Sequence, residues 1–213
     1  MEDTAAPASA QDQVASPRRA PTQQRSRDRV ERMLAAASAL IAQQGSDAMR
    51  MGEVTERAGV SIGSLYQFFP DKRAIIWALA ERYTAESQAC ISSSLKDVTD
   101  AEGLRQAFSE LVDIYYRLFL AEPVMRDIWS GTQADKALRE LELADSRANA
   151  EFLTTVLRRL KPGADAVALE TTAFLVWQMG EAAVRLAISV GRDEGDRLVA
   201  AYKRMALREL VGE

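Results

Sequence analysis

From Arg27 to Leu210 apolar side chains return at three- and four-residue steps, and no window of strand length alternates apolar with polar residues. That period gathers the apolar groups on one side of a helix and gives a sheet no face to bury. The first set is Val30, Met33, Leu34, Ala37, Leu40 and Ile41, closed by Gly45. Shorter helices are expected from about Met51 to Ala58, ended by Gly59, and from Ser61 to about Phe68. Pro70 interrupts, and Asp71 can cap a longer helix running to about Leu95. Breaks at Pro123, Gly131, Lys161-Pro162-Gly163 and Gly191 to Gly195 divide the remainder into helices at about 101–120, 122–131, 135–160, 164–190 and 194–210. The expected fold is all-α with about nine helices.

Composition narrows the function classes. The chain has no histidine, which removes Ser-His-Asp and Cys-His nucleophile systems and the commonest zinc and non-haem iron sites. Its eleven glycines are scattered, without the spacing of a phosphate-binding loop. No catalytic residue, metal or cofactor is expected. The longest uninterrupted apolar run, Ala74 to Ala80, falls far short of the roughly 20 residues a membrane helix needs. Glu2 and Asp3 open the chain with no apolar segment behind them, so no secretory leader is expected. A lone cysteine, Cys90, suits a reducing cytoplasm, and mid-helix without an adjacent His or a second Cys it is expected to be a buried structural thiol rather than a redox switch. Residues 1–24, rich in Ala, Pro, Ser and Gln, are expected to be a disordered tail.

Charge is unevenly spread. Arg18 to Arg73 holds ten Lys/Arg against six Asp/Glu, whereas residues 74–213 hold seventeen against twenty-two. A basic head on an acidic body suits a protein that touches nucleic acid with one end. Within the head, residues 51–69 read MGEVTERAGVSIGSLYQFF. Two short helices flank a turn at Ala58-Gly59-Val60, where glycine permits a left-handed backbone. Ser61 can cap the second helix, with Val60 and Leu65 as a hydrophobic staple and Leu65 and Phe68 packed inward. Ile62, Gly63, Ser64, Tyr66 and Gln67 are left on the outer face. Gly63 lets the backbone approach a major groove, Ser64 and Gln67 can meet base edges, and Tyr66 with Lys72-Arg73 can reach phosphates. A helical hairpin with a merely solvated polar face would carry the same spacing.

The string AGVSIGSLYQFFPDK resembles the signature of TetR-family repressors, whose helix-turn-helix ends in Tyr-x-x-Phe-Pro-x-Lys. The match lies at Ala58, Gly59, Val60, Ser61, Gly63, Leu65, Tyr66, Phe69, Pro70 and Lys72, and the likeness covers roughly residues 27–80. The resemblance implies a three-helix DNA-binding head at 25–72 and a larger ligand-binding and dimerisation domain at 73–213. It implies a base-reading helix bearing Ser61, Ile62, Gly63, Ser64 and Gln67, with phosphate contacts from Tyr66 and Lys72. Arg25 and Arg27, just before the first helix, could reach the backbone or minor groove. One departure is visible. Where such proteins place a Ser or Thr to start the second helix, this chain has Met49 or Arg50. Arg50 can replace a phosphate contact but not the cap.

Two features of the body bear on the implied interface and pocket. The helix at about 164–190 is apolar over most of its surface and must be covered on both sides. With the last helix it offers Met179, Ala183, Leu186, Ala187, Val190, Leu198, Tyr202 and Met205 to a four-helix interface across a two-fold axis. Aromatic residues and methionine also concentrate at Tyr115, Tyr116, Phe119, Met125, Trp129, Phe152, Phe174 and Trp177, the mixture a ligand pocket needs. Plain core has the same look. Arg117, Gln178 and Glu181 are the polar candidates for orienting a ligand. The expected protein is a cytoplasmic homodimeric repressor, released from a palindromic DNA operator by a small hydrophobic or aromatic inducer. A helical ligand-binding or adaptor protein without DNA binding would share the acidic body but leave residues 58–72 unexplained.

Overall fold

The computed structural model describes residues 19–131 and 136–212. Among them are nine helices and no strand: α1 (Arg19–Ala48), α2 (Met51–Ala58), α3 (Ile62–Phe68), α4 (Lys72–Leu95), α5 (Ala101–Ala121), α6 (Pro123–Gly131), α7 (Lys136–Leu160), α8 (Ala166–Ser189) and α9 (Arg192–Val211). No helix of these residues is long and apolar enough to cross a membrane.

Four of the nine helices, α3, α4, α5 and α8, begin at a side chain that holds an orphan amide, as expected for Ser61 and Asp71. Asp71 accepts from Ala74 N at 2.8 Å, Asp100 from Gly103 N at 2.7 Å and Asp165 from Val167 N at 3.1 Å. The start of α1 is a correction. The helix begins at Arg19, so residues 19–24 are helical rather than part of a tail, and residues 1–18 lie outside the described ones. Pro21 falls in the first turn, where no backbone donor is required, and Gln24 Nε2 reaches Asp28 Oδ1 at 2.8 Å one turn on. Arg25 and Arg27 therefore stand exposed on the helix itself, not on an arm preceding it. At the other end Gly45 breaks the regular helix with φ 80, and a last turn continues to Ala48.

The apolar side chains form two clusters. One is built from α1–α3 with Ile75 and Leu79 of α4, and takes in Val124 and Ile128 of α6. The other lies among α5, α7, α8 and α9 and takes in Ile91 and Leu95 of α4 and Met125 of α6. Tyr83, midway along α4, packs against both. The long α4, the short α6 and α7, whose Leu138 enters the head's cluster, thus join the head to the body.

Candidate nucleic-acid interface and ligand cavity

The helix-turn-helix forms as its residues require. Gly59 sits at φ 63, ψ 45, the left-handed conformation that a side chain disfavours. Ser61 then caps α3, its Oγ accepting from Ser64 N at 3.2 Å. Leu65 is fully buried and Val60 packs on the same cluster. The second inward anchor is Phe69, at 6 % exposure, while Phe68 is only half-buried. At α2 the missing cap is replaced from the opposite direction: Glu53 Oε2 accepts from Arg50 N at 3.0 Å, leaving the Arg50 side chain exposed.

Ile62 and Tyr66 are 48 % and 50 % exposed, and Ser61, Gly63 and Gln67 are exposed beside them. The two lie one turn apart on the outward side of the seven-residue α3. Two of the expected residues are also tied into the head. Ser64 Oγ accepts from Arg29 Nη1 at 3.3 Å, which fixes α3 against α1. Lys72 Nζ donates to Asp47 O at 3.0 Å, drawing the start of α4 to the end of α1.

The body carries a half-open cavity of about 330 Å³ between α4, α5, α8 and α9. Tyr115 and Trp177, both expected, line it, as does the polar candidate Glu181. The rest of the aromatic set stands elsewhere. Tyr116, Phe119 and Met125 are buried in the core, and Trp129 and Phe152 are half-buried against it. Phe174 lies under the Arg147 guanidinium, 4.5 Å from its ring centroid. Gln178 donates to Glu181 Oε2 at 3.1 Å and acts on the cavity through that carboxylate, while Arg117 is exposed.

Much of the wall was missed. Tyr83, Ser87 and Ile91 of α4 face the cavity, and their four-residue spacing was the available signal. Val112 and Phe108 extend the Tyr115 face one and two turns back along α5. Cys90 corrects an expectation: it is exposed, on the cavity wall, rather than buried. Tyr202 is drawn away from the expected interface too. It lines the cavity, buried, and donates from its hydroxyl to Val176 O at 2.7 Å.

Glu181 is the deepest charge at this site, 7 % exposed. Burial pushes its carboxyl up to about 7, against the pull of a hydrogen bond from Ser146 Oγ at 2.7 Å. Asp145, likewise raised by burial, receives Gln88 Nε2 at 2.8 Å, and Glu142 pairs with Arg185 Nη1 at 2.5 Å. Outside, α8 and α9 expose Leu175, Met179, Leu186 and Met205 at 40 to 58 %. Ala183, Val190 and Leu198 are half-buried beside them, whereas Ala187 is buried beneath α9 and cannot meet a partner from there.

A family model described as "Bacterial regulatory proteins, tetR family" matches residues 33–79. Another, "Tetracyclin repressor-like, C-terminal domain", matches residues 102–213. The chain is 30% identical over 91 residues to an uncharacterized HTH-type transcriptional regulator of Mycobacterium tuberculosis, 43% of this chain and 44% of that one. It is 40% identical over 58 residues to the HTH-type transcriptional repressor KstR of Rhodococcus jostii, 27% of either chain. These alignments span less than half of each relative. The fold is similar over a longer stretch to the crystal structure of a TetR-family transcriptional regulator from Streptomyces coelicolor. That likeness has a TM-score of 0.68 at 26% identity and covers 88% of this chain and 97% of that one. With the C-terminal match alone spanning more than half its length, the chain belongs to the TetR family.

Proposed function

We propose that this protein is a homodimeric transcriptional repressor that reads a palindromic operator with α3 and leaves it when a small hydrophobic or aromatic molecule fills the cavity. In this reading residues 25–72 are the DNA-binding unit and 73–213 the ligand-binding and dimerisation unit. The observation that carries it is the shared use of α4. Ile75 and Leu79 sit in the core of the head, Ser87 and Ile91 form cavity wall, and Tyr83 belongs to both. A ligand that shifts α4 cannot leave α3 where it was.

At the DNA, Ser61, Gly63 and Gln67 would face base edges, Ile62 would offer an apolar contact, and Tyr66 with exposed Arg25, Arg27 and Arg50 would meet phosphates. The hydrogen bonds of Ser64 and Lys72 within the head preorganise α3 rather than exclude such contacts. Paired through α8 and α9, two subunits would set their α3 helices about 34–36 Å apart, one turn of duplex. Ligand-driven movement spoils that spacing at a coupling free energy of about 1–3 kcal/mol.

The test is selection of bound sequences from random duplex DNA, with wild type and with Tyr66→Ala. The expected result is an enriched palindrome that the variant loses. No enrichment at low salt from a dimeric protein would overturn DNA reading and leave a helical ligand-binding protein.

A further inference from the structure

The cavity is unusual in its charge. Phe108, Tyr115, Trp177 and Tyr202 give it aromatic walls, and the ionisable carboxylates that line it are Glu86, Glu122 and Glu181, with no Lys or Arg among the lining residues. Glu86 and Glu122 are exposed, while Glu181 is buried at the inner wall. Behind Glu181 stand two further buried carboxylates of α7, Glu142 and Asp145, at 8 % and 7 % exposure. Arg185 stands close to Glu181 and Glu142, and its guanidinium is committed to Glu142. The neutral donors Ser146 and Gln178 hold the Glu181 oxygens, and no ion pair of Glu181 occurs among the described residues. Three such groups do not converge among these residues in a way that could hold a metal ion. A buried carboxylate held only by neutral donors beside aromatic faces has an organic cation as its natural complement, and those faces add to the attraction. An anion entering the same space would meet carboxylates, while the nearby guanidiniums of Arg82 and Arg185 are already paired with Glu86 and Glu142.

Resting on the reading of this cavity as the inducer site, we propose that its ligand is an apolar compound bearing a protonated amine or similar organic cation, received by Glu181, and that carboxylates and other anionic compounds are rejected. The aromatic walls hold the apolar body, and the charge of the ligand replaces the missing partner of the buried carboxylate.

A second observable follows from the burial of Glu181. Its carboxyl, raised to about 7 by burial, loses its proton more readily when a cation sits beside it. The groups facing it are Tyr115 of α5, Glu142 and Asp145 of α7, Arg185 of α8 and Tyr202 of α9. An amine on an alkyl chain stays protonated through neutral pH, as lysine does. Cation binding should therefore strengthen from about pH 6 to about pH 8, while binding of a neutral analogue should not.

The experiment titrates the full-length protein with phenylbutylamine, phenylbutanol and phenylbutyrate, one apolar body with three head groups, by calorimetry and tryptophan fluorescence. The expected order is amine, then alcohol, then carboxylate, with the amine-to-alcohol ratio rising with pH. Glu181→Gln should cost the amine about tenfold or more and abolish that rise, with alcohol affinity nearly unchanged as the control for folding. A carboxylate that binds as well as the amine, or a wild-type ratio flat with pH, overturns the proposal while leaving the cavity as a ligand site. Absence of binding by all three would bring down the ligand-site reading, and this proposal with it.

Discussion

A Cβ placed on Gly195 would lie 2.4 Å from Ala187 O and 2.6 Å from Tyr116 Oη. Backbone cannot yield as a side chain can, so the closeness of α9 to α8 is set by the missing methyl group. Gly195→Ala should cost about 1–3 kcal/mol by overpacking. For a domain of this size each kcal/mol lowers Tm by about 2–4 °C, which thermal denaturation by circular dichroism will measure. An unchanged Tm would mean that α9 can shift without loss. A second effect at this scale concerns Glu181. Its carboxyl is raised in the fold from 4.5 to about 7, so the folded state holds a proton that the unfolded chain releases. The associated stability is fully present below about pH 4.5 and is lost as pH rises through about 7. Wild type should lose more Tm across that window than Glu181→Gln, and parallel curves would contradict the assignment. Individual roles such as these were the least legible part of the sequence. Tyr115, Tyr116 and Phe119 look alike in a pattern, and only their rotation about α5 decides that the first lines a cavity while the others fill core.

Helix existence and breaks were far more legible, because glycine, proline and capping side chains act locally. Asp71 and Ser61 start helices by hydrogen bonds within three residues, and Gly59 needs only its own φ. Ser61→Ala should accordingly lower stability by about 1 kcal/mol. It should also weaken operator binding more than that loss explains, because α3 has seven residues and frays from its cap. Fluorescence anisotropy on the selected palindrome, set against the denaturation midpoint, separates the two effects. Equal losses in both would reduce Ser61 to a structural cap. What the periodicity could not reveal is the double membership of α6. Val124 and Ile128 enter the head's cluster and Met125 the body's, which depends on how distant helices meet. The same element also grips α1, since Asp127 Oδ2 accepts from Ser46 N at 2.8 Å just beyond the Gly45 break. Removing that acceptor in Asp127→Ala should leave operator affinity and amine affinity each close to wild type. The amount by which the amine weakens operator binding should shrink by several-fold, as expected for a coupling of about 1–3 kcal/mol that loses one of its links. Full coupling in the variant would assign transmission to α4 and α7.

At the scale of the whole molecule, the question is what covers α8 and α9. Leu175, Met179 and Leu186 on one helix and Met205 on the next are exposed at 40 to 58 %, though each helix is otherwise packed against the body. The sequence made this region apolar on more than one side, and that much was legible. It could not separate the residues used within the subunit, Ala187 and Tyr202, from those left outside, because both kinds recur at helical spacing. An isologous pairing of these two helices with their copies would hide the exposed group and set the distance between two heads. Met179→Glu with Leu186→Glu places two carboxylates on that surface, seven positions apart on the same side of α8, without touching either core cluster. Sedimentation should then report monomers with unchanged helical content. Operator affinity should fall by about 10²–10⁴-fold, because each half-site is bound alone once the effective concentration supplied by the dimer is gone. Binding of the amine should persist in that monomer, since α4, α5, α8 and α9 of the subunit itself supply the aromatic wall and Glu181. A double variant that remains dimeric would place the two-fold axis on another face, and the head-to-head spacing would have to be sought there.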